Sequence, residues 1–152
     1  MFNDLFFMKR AYEQALLAFS MEEVPVGAIV VYENDIISEA HNKSISRTDP
    51  TSHAEIEAIR KAALKIGNYR LTNAKMYVTL EPCLMCCGAL VHARFDKVIF
   101  ATTDSKSGAA VSNGNFLEAN FLNHKVKFEQ GPLQKESTDL LKKFFKSKRT
   151  KV

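Results

Sequence analysis

Two short stretches of this sequence carry residues able to hold a metal and move a proton. Cys83 and Cys86 stand at i and i+3 in Cys83-Leu84-Met85-Cys86-Cys87. At the start of a helix that spacing puts both sulfurs on one face, near the positive end of the helix dipole, where thiolates are favoured. The pair supplies half of a tetrahedral zinc shell, and the sequence has no second Cys-x-x-Cys to close a structural site. Among His41, His53, His92 and His124, only His53 opens a predicted helix and is followed two residues on by an acid, in His53-Ala54-Glu55. It is the best third ligand. One neutral imidazole and two thiolates leave a zinc ion formally neutral, with an open position for a water whose pKa the metal lowers to about 7. Three protein ligands point to catalysis, and Glu55 is then placed to shuttle protons without binding the metal.

Each of these residues also has a plainer reading. Ser52-His53-Ala54-Glu55 fits a capping box, in which Glu55 only returns to the cap amide. A lone Cys-x-x-Cys can be a redox pair, although that chemistry does not call for a His-x-Glu helix start upstream. Cys87, next to a ligand and off its face, reads as a small packed residue, and His41 and His92 read as core or surface histidines.

The elements that must position these groups follow from periodicity. Leu5, Met8, Tyr12, Ala15, Leu16 and Phe19 recur at helical spacing, which predicts an amphipathic helix ending near Ser20. Val26 to Tyr32 and Ile36 to Ala40, separated by Glu33-Asn34-Asp35, predict a hairpin. Residues 42–51 read as a polar loop. A second helix is expected from Ser52, capped by Thr51 or Ser52 and stopped by Gly67. Met76 to Leu80, a helix opened by Pro82 and running to about Ala93, and Lys97 to Ala101 form strand, helix, strand. Such a unit needs a crossover, so its two strands should be parallel neighbours. Beyond the loop around Gly108, the expectation is a short helix over Phe116 to Leu122, a strand over Lys125 to Phe128 and a terminal helix over Gln134 to Lys148.

With 152 residues, 46% hydrophobic and 25% charged, the chain can bury one full core but hardly two, so a single domain is expected over 1–152. No stretch is apolar enough for a membrane span or shaped like a signal peptide, which makes the cytoplasm the expected location. Three cysteines confined to five residues staple nothing distant. The net charge of +4 is modest, but Lys142, Lys143, Lys146, Lys148, Arg149 and Lys151 crowd the C-terminal helix and tail, about 134–152. On its own such a run reads as a solvated helix end; beside a nucleic-acid site it could lie against phosphates.

The division of labour between His53, Cys83, Cys86 and Glu55 resembles that of the zinc deaminases. His53-Ala54-Glu55 with Pro82-Cys83-Leu84-Met85-Cys86 resembles the cytidine deaminase superfamily. Pro25-Val26-Gly27-Ala28, His41-Asn42, Asp49-Pro50-Thr51, Asn68-Tyr69-Arg70-Leu71, Tyr77-Val78-Thr79-Leu80-Glu81, Asp104-Ser105-Lys106-Ser107-Gly108-Ala109, Asn123-His124 and Phe144-Phe145-Lys146 extend the likeness, across nearly the whole chain, to the bacterial tRNA adenosine deaminases. The resemblance implies a three-layer α/β/α fold with a mixed five-stranded sheet, a homodimer, one zinc per chain, no organic cofactor, and conversion of the wobble adenosine of a transfer RNA to inosine. It places Asn42 against the flipped base and nearby sugar, and Asp104, Lys106, Asn123 and Phe145 on the surface that meets the anticodon stem-loop. Arg70 and Arg149 carry over less directly. Ala101 and Val111 stand where the family generally has Gly, and Cys87 where it commonly has Ala, which bears on the loop near Asp104 and not on the zinc chemistry.

Deamination of adenine needs a nucleophile at neutral pH, a proton for a ring nitrogen and another for departing ammonia. Zinc supplies the first, and Glu55 carries the others. Two other readings compete. A superfamily relative acting on free cytosine, guanine or a nucleotide shares the metal motif, though not the flanking ones. A non-catalytic zinc-stabilised RNA-binding module would have no use for Glu55 beside an open metal position.

Overall fold

The computed structural model describes residues 2–150, so Lys151 of the basic run lies outside the described residues. Its centre is a five-stranded sheet of order β2-β1-β3-β4-β5, formed by β1 (Gly27–Tyr32), β2 (Asp35–His41), β3 (Lys75–Leu80), β4 (Lys97–Thr102) and β5 (Lys127–Gln130). The β1–β2 hairpin turns through Glu33 and Asn34, both at positive φ, as a two-residue hairpin turn requires. β1 pairs antiparallel with β3, whereas β3–β4 and β4–β5 are parallel, with Met76 opposite Val98 and Phe100 opposite Gln130. The expected crossover between β3 and β4 is made by α3 (Leu84–His92).

Alternation along the strands divides the core into two layers of side chains. Ala28, Val30, Met76, Val78, Val98 and Phe100 meet Ala54, Ala58 and Ala62 of α2 (Ala54–Ile66) and Cys87 and Leu90 of α3. Ile29, Val31, Tyr77 and Ile99 meet Phe7, Met8 and Ala11 of α1 (Asp4–Ser20) on the opposite face. The outcome is the expected three-layer arrangement with a mixed sheet. The terminal helix α4 (Gln134–Thr150) packs beside β4, with its Phe144 ring against Phe19 near the end of α1.

The expected helix face of α1 needs correction. Leu5 and Leu16 are exposed, and the buried positions are Phe7, Met8, Ala11, Ala15 and Ala18. The alanines face inward because the helix backbone lies directly on β1: a Cβ at Gly27 would come within 2.0 Å of the Ala11 carbonyl oxygen. α2 begins at Ala54 with His53 as its N-cap, and neither Thr51 nor Ser52 caps it. α3 begins after Cys83, so Pro82 precedes the cap instead of opening the helix. The segment expected as a helix over 116–122 contains one 3₁₀ turn, Phe116–Glu118. The last strand is shifted toward Gln130 because β4 sets its register, and α4 runs two residues past Lys148.

The Gly27 contact yields a stability test. Gly27→Ala should lower the stability by about 3 kcal/mol, because backbone and not a flexible side chain stands in the way. The midpoint of chemical denaturation reads this directly, and an unchanged midpoint would show that α1 can move off the sheet.

Candidate active site

His53 and Cys83 occupy equivalent places, each the N-cap of a helix, in extended conformation, with a side chain that makes no capping hydrogen bond. Their backbone carbonyls accept the first helical N–H groups, from Glu57 at 3.0 Å and Cys87 at 2.9 Å. Their side chains are therefore free to face each other. Cys86, one turn into α3, joins them: His53 Nδ1 lies 3.6 Å from each sulfur, and the three ligand atoms lie within 4.8 Å of one another.

The donor set fits a zinc ion by its chemistry, one imidazole nitrogen and two sulfurs at the positive ends of two helices. Without a cation the cluster shares protons unevenly. Cys83 is held down to about 4, chiefly by the hydrogen bond from Cys86, with His53 acting the same way against the opposing effect of burial. Cys86, as that donor and a buried one, is pushed up, and His53 is raised by its hydrogen bond with Cys83. Two adjacent thiols cannot both ionise until a cation balances them.

Glu55 sits in the first turn of α2 with 4% of its surface exposed. Burial pushes its carboxyl up to about 7, against the opposing influence of its own backbone amide and of His53. The capping-box reading fails here, since the Ser52 amide donates to the Asp49 carbonyl oxygen at 3.1 Å and the Ser52 hydroxyl to the Asp49 carboxylate at 3.0 Å. The cap of α2 comes from elsewhere: Asn42 Oδ1 accepts from the Ala54 N–H at 2.7 Å.

Asn42, His53, Glu55 and Cys83 line a single cleft of about 990 Å³, and Cys86 is fully buried outside its lining. Val24, Val26, Leu80 and Leu141 give it apolar wall, and Lys106, Lys142, Lys148 and Arg149 give it basic groups. Of the residues expected to meet substrate, Asn42, Asp104, Lys106 and Phe145 line this cleft, whereas Asn123 is exposed and outside the lining. Arg149 lines it and Arg70 does not. Asp104 Oδ1 accepts from the amides of Lys106 and Ser107, which turns its own loop. Ala101 is fully buried against α1, Val111 is exposed, and neither has positive φ, so both fit without backbone strain. Cys87 is buried and points its thiol at the Pro82 carbonyl. His41 is buried against the Asn42 carbonyl, His124 bonds the Phe95 carbonyl, and His92 is exposed.

The profile of the MafB19-like deaminases matches residues 2–149. A tRNA-specific adenosine deaminase of Aquifex aeolicus is 48% identical over 147 residues, covering 97% of this chain and 97% of that protein. The chain belongs to the tRNA-specific adenosine deaminase family. Its Haemophilus influenzae member is 43% identical, covering 93% of this chain and 83% of the relative. Within the family's solved structures, one from a study of A-to-I editing by deaminases at the wobble position of transfer RNA superimposes with a TM-score of 0.87. It is 36% identical and covers 90% of this chain and 99% of its own. A guanine deaminase from Bacillus subtilis is also similar, at 30% identity and a TM-score of 0.66 over 98% of this chain and 95% of its own.

Sequence reasoning missed two buried carboxylates beside this deaminase cleft. Glu23 accepts from the Ile45 and Ser46 amides at 3.1 and 2.7 Å, and Glu81 accepts from the loop after β4. The signal available was an acid at the edge of an apolar stretch, at Glu22-Glu23-Val24-Pro25-Val26 and at Leu80-Glu81-Pro82.

A metal assay tests the ligand set. Alanine at His53, Cys83 or Cys86 should drop zinc from about one per chain toward none, because two remaining ligands hold it poorly. Cys87→Ala should keep it. The reverse result for Cys86 and Cys87 would overturn the assignment.

Proposed function

We propose that this chain is a single zinc-dependent hydrolytic deaminase domain that converts the wobble adenosine of a transfer-RNA anticodon loop to inosine. The observation that carries the reading is the cluster of His53, Cys83 and Cys86, with His53, Cys83 and buried Glu55 lining one cleft that also carries basic groups. The relatives named as tRNA-specific adenosine deaminases support the substrate.

His53, Cys83 and Cys86 would hold the zinc ion, which when bound would supply the Lewis acid that makes water a nucleophile at neutral pH. Glu55 carries the protons. Its carboxylate takes one from the attacking water and hands it to the ring nitrogen beside the amino-bearing carbon. It takes the second and gives it to the amine as the carbon–nitrogen bond breaks, so water and adenosine become inosine and ammonia. A carboxyl pushed up to about 7 both accepts and releases a proton near neutrality. Asn42, with its oxygen fixed by Ala54, offers its amide N–H₂ to the base. Lys106, Phe145 and the basic face of α4 meet flanking nucleotides, Asp104 shapes the loop that carries Lys106, and Asn123 meets the stem-loop outside the cleft.

A loop base is already unpaired and enters a pocket at lower cost than a duplex base, and contacts to flanking nucleotides fix it in the attack geometry. The substrate also brings a cytoplasmic location with it. No helix among the described residues is long and apolar enough to cross a membrane.

Glu55→Ala should keep zinc and RNA binding while turnover falls by about a thousandfold. The unmodified enzyme should act on an anticodon stem-loop far better than on free adenosine, cytidine or guanine. Lys106→Ala should weaken RNA use and lower its logarithmic salt slope by about 1. Comparable efficiency on a free base would replace this reading with a small-substrate deaminase.

We also infer a homodimer, supported by the family resemblance and by the exposed Leu84 (58%) and Met85 (37%) beside the Cys83 cap. Sedimentation at micromolar concentration should give twice the chain mass, and a fully active monomer would refute the assembly.

A further inference from the structure

We propose that Glu81 is a positioning residue for substrate: its buried carboxylate is the template on which the cleft-lining loop from Asp104 to Ser112 is folded. The substrate part of this inference rests on the RNA reading given above. Glu81 has 2% of its surface exposed, and no cation pairs with it among the described residues. A carboxylate so placed costs several kcal/mol unless it is hydrogen-bonded throughout. The loop supplies the donors. Oε2 accepts from the amides of Ala110 at 3.1 Å, Val111 at 2.8 Å and Ser112 at 2.9 Å. Oε1 accepts from the Asp104 amide at 3.0 Å and the Ser112 hydroxyl at 2.5 Å.

The five donors come from both ends of one loop, so a single anion holds the ends together. The middle of the loop folds over it, since a Cβ at Gly108 would lie 2.3 Å from the Glu81 carboxyl carbon. Next to the carboxylate, Ala109 N–H donates to the Pro82 carbonyl at 3.0 Å and Gly108 bridges to Cys83, so the loop continues along the segment that leads into α3. What the loop presents to the cleft is Asp104, Ser105, Lys106 and Ser107. The metal-ligand residues are held chiefly by the caps and first turns of α2 and α3, and the loop meets them only through the backbone bridge of Gly108 to Cys83. Removing the charge of Glu81 should therefore loosen the substrate wall and leave the metal centre in place.

Glutamine cannot replace this residue. Its N–H₂ would face either the three amides of Ala110, Val111 and Ser112 or the Asp104 amide, donor against donor, and in the second orientation only the Ser112 hydroxyl could turn to accept. Aspartate keeps the charge but is one methylene short.

The test uses zinc-loaded full-length protein, with Glu81→Gln and Glu81→Asp read by metal content, amide hydrogen exchange over residues 104–112, and single-turnover kinetics on an anticodon stem-loop RNA. For Glu81→Gln we expect about one zinc retained, exchange at Ala110 to Ser112 faster by about tenfold or more, and the half-saturating RNA concentration raised by about tenfold. The maximal rate should change by less than about threefold. Glu81→Asp should lie between this variant and the parent. Ser112→Ala removes one donor and keeps the carboxylate, so it should give smaller increases in exchange and half-saturation and serves if Glu81→Gln does not fold. Unchanged exchange, loss of zinc, or a fall confined to the maximal rate would each overturn the proposal. If the parent protein does not process the stem-loop, the substrate reading fails, and exchange and zinc content still judge Glu81 as the template of the loop.

Discussion

Two helices begin at the same point, and the site exists because of it. The N-caps of α2 and α3 bring His53 and Cys83 to 3.6 Å, with the positive ends of both helices directed at the space between. Such an arrangement is unfavourable until something anionic or electron-rich occupies it, and two sulfurs and an imidazole do. The approach depends on small side chains along the contact with the sheet, Ala54, Ala58 and Ala62 on α2 and Cys87 on α3. It depends equally on the parallel β3–β4 pair, whose crossover delivers the start of α3 to the end of the sheet where α2 begins.

Among the described residues four glutamates are buried; Glu57 is paired with Arg47 and Arg60, and Glu23, Glu55 and Glu81 divide by the hydrogen-bond donors they meet. At Glu81 burial alone would raise the pKa, but the Ser112 hydroxyl and the amides of Val111, Ser112 and Asp104 outweigh it and hold the group ionised. Glu23 follows the same rule through Ser46 and Ile45. Glu55 has no comparable set of amide donors, so burial dominates and leaves a carboxyl that can exchange its proton at neutral pH. Glu23 and Glu81 hold loops; Glu55 is suited to chemistry because its few donors do not outweigh burial.

Local patterns were legible in the sequence and long-range packing was not. The i, i+3 cysteines and the His-x-Glu start identified a cluster that the fold assembles, and the strand–helix–strand unit identified the parallel pair. The face of α1 was misread because its burial is decided by the backbone of β1 at Gly27, which favours alanine over leucine. The cap of α2 was misread because its acceptor is Asn42, twelve residues upstream, and not the adjacent serine. Glu81 was passed over for the same reason: its donors lie 23 to 31 residues away, in a loop with no periodicity to reveal them.

The anchoring of Asn42 reaches beyond helix geometry. Its oxygen is committed to the Ala54 amide, so the orientation of the side-chain amide is fixed and the nitrogen is what remains for the cleft it lines. A free asparagine can rotate to offer either a donor or an acceptor, and reads both kinds of partner equally. A tethered one has a single polarity. In the function proposed above, it would favour a ring edge or sugar oxygen carrying a lone pair over one carrying N–H, so the hydrogen bond that starts a helix would also serve as a filter on chemical identity.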